Sequence, residues 1–501
     1  MCIRDRQYGT LGGIFMPPVV GLIADKTNWH TAFIVLGAFS LLLTGFYFFL
    51  REPRRGAAER VALGATEAEA QHEQKPVSWG ESWRAVSRIQ TVRRLWYAQP
   101  FLGAAQFTSL LLPLYFGYIF HVSDTGYGLI IAGEGIAVFI AQTVTGPLVD
   151  RMIGDRPARI MSLVALLAVL KALSVLAVAA APNLAVAVVT ACVSSAFALL
   201  ILPTFSPPLL SLISLVVPAR VRAFGIQTLQ PWSLLSLLII YPLAGLFSSA
   251  GVNFRLQLLP FIPFYLIGAA ILLSGALTVD RDIKNAIAVS MAEEESERAR
   301  LSGHTKLLVC RQVEVSYDGA QVLFGVDFDV NDGEIVALLG TNGAGKSTLL
   351  RAIAGIQPAQ GGAVFFDGHD ITQVPPHLNA RGGVVMIPGG RAIFPTLTVR
   401  ENLRIAEDQA DDDAAARRRE VLELFPALGE RMHAVAGDLS GGEQQMVALA
   451  QAFLLQPRLM MIDELSLGLA PQVVEQLLTV LRRINAEGTT LILVEQSVNV
   501  A

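Results

Sequence analysis

The stretch Gly340-Thr341-Asn342-Gly343-Ala344-Gly345-Lys346-Ser347-Thr348 combines spaced glycines, a lysine and adjacent hydroxyls in a pattern suited to holding phosphate. Glycines let backbone N–H groups turn inward onto phosphate oxygens, and a helix starting at the end of such a loop adds its positive end. Gly340, Asn342, Gly343 and Gly345 form the cradle, and Thr348 closes it. Lys346 reaches the outer phosphates, and Ser347 serves Mg²⁺. A second pattern follows more than a hundred residues later: Leu459-Met460-Met461-Ile462 is an apolar run that ends in Asp463 and Glu464. Asp463 suits a metal held through water, and Glu464 suits a base that polarises the attacking water. One motif alone matches by chance often enough to matter. The two in this order point to binding and hydrolysis of ATP with Mg²⁺ as cofactor.

These residues need strands and helices to place them. The run Gly333–Leu339 reads as a strand leading into the glycine-rich turn, and Leu349-Leu350-Arg351-Ala352-Ile353 reads as the helix leaving it. Leu307-Leu308-Val309 and Val313-Glu314-Val315 suggest earlier strands. The expected fold from residue 305 onward is therefore α/β.

Between the two motifs lies Leu439-Ser440-Gly441-Gly442-Glu443-Gln444-Gln445, which resembles the signature of ABC transporter ATPases. The resemblance covers 305–501, and the phrases Phe394–Leu403 and Ser466–Pro471 look most like the ATPases of branched-chain amino acid importers. It implies that Tyr317 stacks on adenine, and that Ser440, Gly441 and Gly442 hold ATP bound by a second ATPase domain, in a homodimer or a separate subunit. It also places Gln496 at the switch position beside the catalytic Glu464. One departure stands out. The position that carries Gln, or Glu in similar proteins, falls on Gly389, which has no side chain to sense the metal or a membrane domain.

The remainder of the chain is of another kind. With 53% apolar residues, 16% charged residues and a mean hydropathy of +0.51, the whole is too apolar for a soluble enzyme of 501 residues. Net charge −4 gives no basis for nucleic-acid binding, and three scattered cysteines argue against a disulfide framework or a zinc site. Apolar runs near 8–24, 31–50, 96–120, 127–149, 158–181, 184–202, 224–248 and 256–278 have about the length needed to cross a bilayer. Arginine and lysine crowd alternate loops: Arg51 to Arg94, Arg151 to Arg159, and Arg220 with Arg222. This bias puts those loops, and everything beyond Arg281, in the cytoplasm of a multi-pass protein of the plasma (inner) membrane.

The stretch Gly146-Pro147-Leu148-Val149-Asp150-Arg151 to Arg156 resembles the loop between the eighth and ninth helices of the major facilitator superfamily. Asp150, Arg151 and Arg156 would lock two helix ends by charge. Gly21–Asp25 and Trp29–Phe33 look like an earlier junction of the same family, so the visible helices would be the last eight of twelve. Glu134 and Lys171 lie inside spans, where a charge is costly, and are candidates for lining a substrate or proton path, or for pairing. Pro203, Pro207 and Pro208 should break the sixth run.

The expected organisation is a transmembrane domain over 1–280 with a central cytoplasmic loop at 51–95, a charged tether over 281–304, and an ATPase domain over 305–501. Met1-Cys2-Ile3-Arg4-Asp5-Arg6 fits no later pattern and the chain stops just after an apolar strand, so a fragment at both ends is expected, with the ATPase domain truncated. The leading functional expectation is a membrane transporter for a small solute, with its ATPase domain fused to a facilitator-like module. Alternatives are an ion-gradient-driven transporter regulated by ATP, and a conventional ABC half-transporter.

Overall fold

A run of twenty apolar residues leaves no polar face, so in lipid its backbone is satisfied by helix hydrogen bonds alone. That rule accounts for the first part of the chain. The computed structural model describes residues 3–47, 78–202, 206–236, 238, 242, 253–301, 306–389, 392–409 and 414–495, in two units, Met1–Ala286 and Ile287–Ala501.

The first unit is helical: α1 (Ile3–Lys26), α2 (Trp29–Tyr47), α3 (Trp79–Arg88), α4 (Gln90–Leu102), α5 (Ala104–Phe120), α6 (Asp124–Asp155), α7 (Arg159–Ala179), α8 (Leu184–Ile201), α9 (Pro207–Val216) and α10 (Phe261–Ala276). Among the described residues, five stretches are long and apolar enough to cross a membrane: Gln90–Phe120, Asp124–Asp155, Arg159–Ala179, Leu184–Ile201 and Phe254–Ala276. They match five of the expected runs. The run near 8–24 lies within α1, which contains Pro17 and Pro18. The run near 31–50 lies largely within α2, whose apolar core His30–Leu42 is shorter than a full span. The later part of the run near 224–248, from 237 on apart from 238 and 242, lies outside the described residues, as does most of the central loop. The expected break near the prolines takes a definite form: α8 ends at Ile201, and Pro207 and Pro208 open α9 in its first turn, where a missing N–H costs nothing. Pro203 lies outside the described residues.

Small residues let these helices touch. A Cβ at Gly128 would lie 2.7 Å from the Pro17 carbonyl oxygen, and one at Gly21 would lie 2.7 Å from that of Asp124, so α1 and α6 meet backbone to backbone. At that crossing the Asp25 carboxylate accepts from the Thr125 N–H at 2.9 Å and caps the start of α6.

One helix, α11 (Val279–Leu301), covers most of the expected tether. Its start belongs to the first unit: Val279 is fully buried there, and Asp282 accepts from the Thr91 N–H at 2.6 Å. Its later part belongs to the second, where Ala288 and Ala292 pack against Val309, Ala363 and Phe365. Glu295 accepts from Arg311 Nε at 2.8 Å and from Lys306, and both cations also bind Asp329. Small residues at 288 and 292 let the helix lie close to the sheet, so this stretch has a buried face as well as its exposed charges.

The second unit holds two sheets. Strands β1 (Lys306–Tyr317), β2 (Ala320–Asn331), β4 (Gly361–Phe366) and β5 (His369–Asp370) form an antiparallel sheet in the order β2-β1-β4-β5. Strands β3 (Ile335–Leu339), β6 (Val384–Ile387), β7 (Leu459–Asp463) and β8 (Thr490–Glu495) form a parallel sheet in the order β3-β8-β7-β6. β7 and β8 are buried along their whole length, which is why their sequences read as unbroken apolar runs rather than alternating ones. Helix α12 (Lys346–Ile353) shares one core with both sheets. Helices α13 (Val399–Glu407), α14 (Ala414–Leu424), α15 (Gly441–Leu454) and α16 (Pro471–Ala486) build a second core.

Candidate nucleotide site and intramembrane charges

Register in the parallel sheet brings the distant motifs together. Leu339 pairs with Glu495 and Asp463 with Val494, so β3, β8 and β7 end at one level. The glycine-rich loop leaves β3 at that edge, and Asp463 and Glu464 leave β7 there. Ligands of open parallel sheets bind at this carboxyl edge.

The loop's shape is set by glycines. Gly343 and Gly345 have φ of 82° and 90°, a region costly for any residue with a Cβ. At Gly345 a Cβ would also lie 2.7 Å from Leu323 Cδ2 on β2. α12 begins at Lys346, whose ammonium donates to the carbonyls of Gly340 at 2.7 Å and Thr341 at 3.0 Å. Lys346 and Ser347 are half-buried, and Thr348 is buried against the core. Asn342 is exposed at the tip of the loop.

Asp463 is 5% exposed, and its Oδ1 is buried with no hydrogen-bond partner among the described residues. An orphaned carboxylate oxygen at the edge where the loop leads to Ser347, in the first turn of α12, fits a divalent cation held through water. Glu464 has φ of 54°, unusual for a residue with a long side chain, while its N–H donates to the Val494 carbonyl at 2.9 Å. That turn carries its side chain out of the strand's path. It borders a cavity of about 410 Å³, lined also by Ile393, Pro395, Gly441, Gln444 and Leu469.

Gly389 stands beside this pair. A Cβ there would lie 3.2 Å from the Asp463 carbonyl oxygen and 3.7 Å from Glu464 Oε2, so a side chain at 389 would start next to the Glu464 carboxylate. Gln496 lies outside the described residues. Its neighbour Glu495 is a residue the sequence reading passed over. Buried at the end of β8, it accepts from the Ser466 N–H at 3.0 Å and its hydroxyl at 2.6 Å, fixing the loop after Glu464. A carboxylate ending an apolar strand was the available signal.

Ser440 caps α15. Its hydroxyl accepts from the Glu443 N–H at 3.4 Å, and Glu443 Oε2 accepts from the Ser440 N–H at 2.9 Å, a reciprocal capping box. The Ser440 hydroxyl and N–H, helped by Arg431, hold the Glu443 carboxyl below its usual range. At Gly442 a Cβ would lie 2.6 Å from Val473 Cγ1, so glycine lets α15 start against α16. The phosphate-loop helix and the signature helix belong to separate cores. Tyr317 ends β1, half-buried against the sheet core, with a hydroxyl that has no partner among the described residues.

In the helical unit, Asp150, Arg151 and Arg156 stand together at the end of α6, with no ion pair between them among the described residues. α6 runs through Asp150 and Arg151 to Asp155, and adjacent residues on a helix do not face each other. Glu134 and Lys171 do not pair directly either, since no contact within 4.0 Å joins them. Lys171, only 1% exposed, donates instead to the Ser194 carbonyl at 3.1 Å and hydroxyl at 2.6 Å.

A strand–glycine loop–helix unit with a capped signature helix and paired carboxylates defines a nucleotide-binding cassette, here in one chain with a helical membrane unit. Residues 323–466 match the ABC transporter family model, and residues 9–225 match that of the Major Facilitator Superfamily. Over 191 residues the chain is 42% identical to the high-affinity branched-chain amino acid transport ATP-binding protein BraG of Pseudomonas aeruginosa, covering 38% of this chain and 82% of that protein. The probable branched-chain amino acid transport ATP-binding protein LivF of Archaeoglobus fulgidus is 37% identical over 189 residues, 37% of this chain and 80% of that one. The crystal structure of the ADP conformation of an ATP-binding cassette of an ABC transporter matches at 26% identity with a TM-score of 0.37, over 39% of this chain and 83% of that one. The chain belongs to the ABC transporter ATP-binding family through its second unit, and its first unit is similar to the Major Facilitator Superfamily model over residues 9–225.

Proposed function

We propose that the second unit binds MgATP between its own phosphate loop and the signature stretch of a second ATPase unit, hydrolyses it, and so works a transport cycle for a small solute in the membrane unit. The observation that carries the reading is the common edge of β3, β8 and β7, where the loop that leads to Lys346 and Ser347 leaves β3 and a buried, unpartnered Asp463 oxygen and the turned-out Glu464 end β7. Lys346, bonded to the loop's own carbonyls, is poised to exchange them for phosphate oxygens. Backbone N–H groups from Gly340 to Thr348 cradle the phosphates, and Tyr317 stacks on the base. Ser347 and Asp463 would hold Mg²⁺, which when bound neutralises phosphate charge. Glu464 orients and deprotonates the attacking water, with Gln496 beside it in the catalytic role. Ser440, Gly441 and Gly442 face the partner's nucleotide, where the start of α15 offers unpaired N–H donors. The alternation of Lys and Arg among the loops supports a plasma-membrane location with the ATPase unit in the cytoplasm. The names of the relatives support an amino acid as cargo.

The test is Glu464→Gln in the full chain. ATP turnover should fall by about 10²–10⁴-fold while ATP binding persists. Unchanged turnover would remove Glu464 from the base role.

A second reading has one observation in its favour. Gly389 presents no side chain to the carboxylates, so ATP regulates, rather than drives, transport powered by an ion gradient. Asp150, Arg151, Arg156, Glu134 and Lys171 then belong to the transport path in either case. Transport that survives Lys346→Ala selects this second reading.

A further inference from the structure

Among the described residues, Glu134 and Lys171 are the two charged side chains set in the middle of membrane-length helices. Glu134 lies ten residues into α6, about 15 Å along it, and Lys171 twelve residues into α7, about 18 Å along it. Both depths fall near the middle of a hydrocarbon layer about 30 Å thick. Helices α6, α7, α8 and α10 converge there. A Cβ at Gly133, next to Glu134, would lie 3.5 Å from Cys192 Sγ on α8. Lys171 bonds Ser194 on α8, and its ammonium lies 6.0 Å from the centre of the Tyr265 ring on α10. Each charge is within electrostatic reach of the other, yet they do not touch.

The cluster is incomplete in a specific way. Glu134 Oε1 and the Ser195 hydroxyl are both buried next to each other, yet neither makes a hydrogen bond of good geometry among the described residues. Among the described residues Lys171 donates to Ser194 alone, out of the three N–H donors an ammonium carries. Two separated, buried ions of opposite sign are the costly form of such a pair; contact with a counter-charge relieves that cost. A bridging water would satisfy hydrogen bonds but give neither ion a counter-charge. The site's own charges sum to zero, so a ligand with net charge would leave an unbalanced charge buried.

We propose that Glu134, Ser195 and Lys171 bind the transported solute, and that this solute is a small zwitterion with its ammonium at Glu134 and Ser195 and its carboxylate at Lys171. The inference rests on the reading that the membrane unit transports a solute, and it adds the residues that hold it and which end of it each one takes. Tyr265, fully buried with its hydroxyl 3.1 Å from Thr108 Oγ1, supplies a ring face at the Lys171 end.

The test is calorimetric binding to the purified full chain in detergent, without nucleotide. Three matched sets are used, on the alanine, leucine and phenylalanine skeletons: the amino acid, the amine lacking the carboxylate, and the acid lacking the ammonium. At least one amino acid should bind about tenfold or more tighter than both of its half-molecules, as expected for loss of one charge-assisted bond. Lys171→Met should erase the preference over the amine, and Glu134→Gln the preference over the acid. The isosteric Glu134→Gln guards against misfolding as the cause. The proposal is overturned if no amino acid binds, if a half-molecule binds as tightly, or if both preferences survive in the variants. An amine or acid whose binding is lost in a variant removes the zwitterion but keeps the site. Loss-free binding in both variants, or none at all, removes the membrane site and leaves the ATPase reading to the Glu464→Gln assay.

Discussion

Gly442→Ala tests whether the start of the signature helix is set by its contact with α16. The new Cβ would lie 2.6 Å from Val473 Cγ1, about an ångström inside ordinary carbon–carbon contact. Gly442 lies within α15, so alanine there gains about 1 kcal/mol of helix propensity. Overpacking opposes this with about 1–3 kcal/mol. Val473 is half-buried and can give a little, so the net should be a loss of about 1 kcal/mol, or about 2–4 °C in the melting temperature of a unit this size. The larger effect should be on turnover, because the displaced element carries Ser440 and Gly441, whereas the phosphate loop sits on the other core. ATP binding should therefore stay near wild type while hydrolysis falls. Val473→Ala removes the clashing methyl, so the double variant should be more stable than the sum of the single effects by about 1 kcal/mol. The measurements are thermal unfolding, ATP affinity and steady-state ATPase activity on the full chain. Unchanged stability and turnover in Gly442→Ala, or strict additivity in the double variant, would refute the contact as the reason for glycine.

Two further outcomes follow from the face between α11 and the antiparallel sheet. Glu295→Ala leaves Lys306 and the largely buried Arg311 with Asp329 alone, and should destabilise the second unit by about 1 kcal/mol, the partial exposure of Glu295 limiting the loss; amide exchange over 288–300 should rise, and unchanged protection there would mean the ion cluster does not hold the helix. Burial raises the Asp329 carboxyl, but bonds from Arg311 and Lys306 outweigh it and hold the group below its ordinary 3.8. Its stabilising contribution is therefore full above pH 3.8 and lost as pH falls through the lower folded value, so wild type and Asp329→Asn should differ in melting temperature at pH 6 and converge in acid. A gap that stays constant with pH contradicts that assignment.

What was legible in the sequence was whatever depends on neighbours along the chain. Hydropathy marks a span because each residue meets lipid by itself, and five such runs stand as helices of membrane length. The phosphate loop is local too: glycines at 343 and 345 are needed for the backbone turn itself, whatever the rest of the chain does. The order of motifs then identified the cassette. Contacts between distant segments were not legible. Ala288 and Ala292 look like ordinary residues of a charged, exposed helix until Val309, Ala363 and Phe365 are found beneath them. Gly442 reads as part of a motif, and its steric reason, Val473, appears only in three dimensions.

Gly389 shows how the two kinds of information combine. The family resemblance implies a polar side chain where this sequence has Gly389, but gives no sense of what that side chain would face. The structure supplies the direction: a Cβ at 389 points at the Asp463 carbonyl and at Glu464 Oε2. The contact at 3.2 Å is tight but not prohibitive, and none of the distances excludes a longer side chain. Steric necessity is therefore not what keeps glycine there. The two carboxylates are held without it, Asp463 by the register of β7 with β8 and Glu464 by its N–H bond to Val494. The strand edge maintains the carboxylates, whereas a polar group at 389 would be an addition to that edge rather than part of its support.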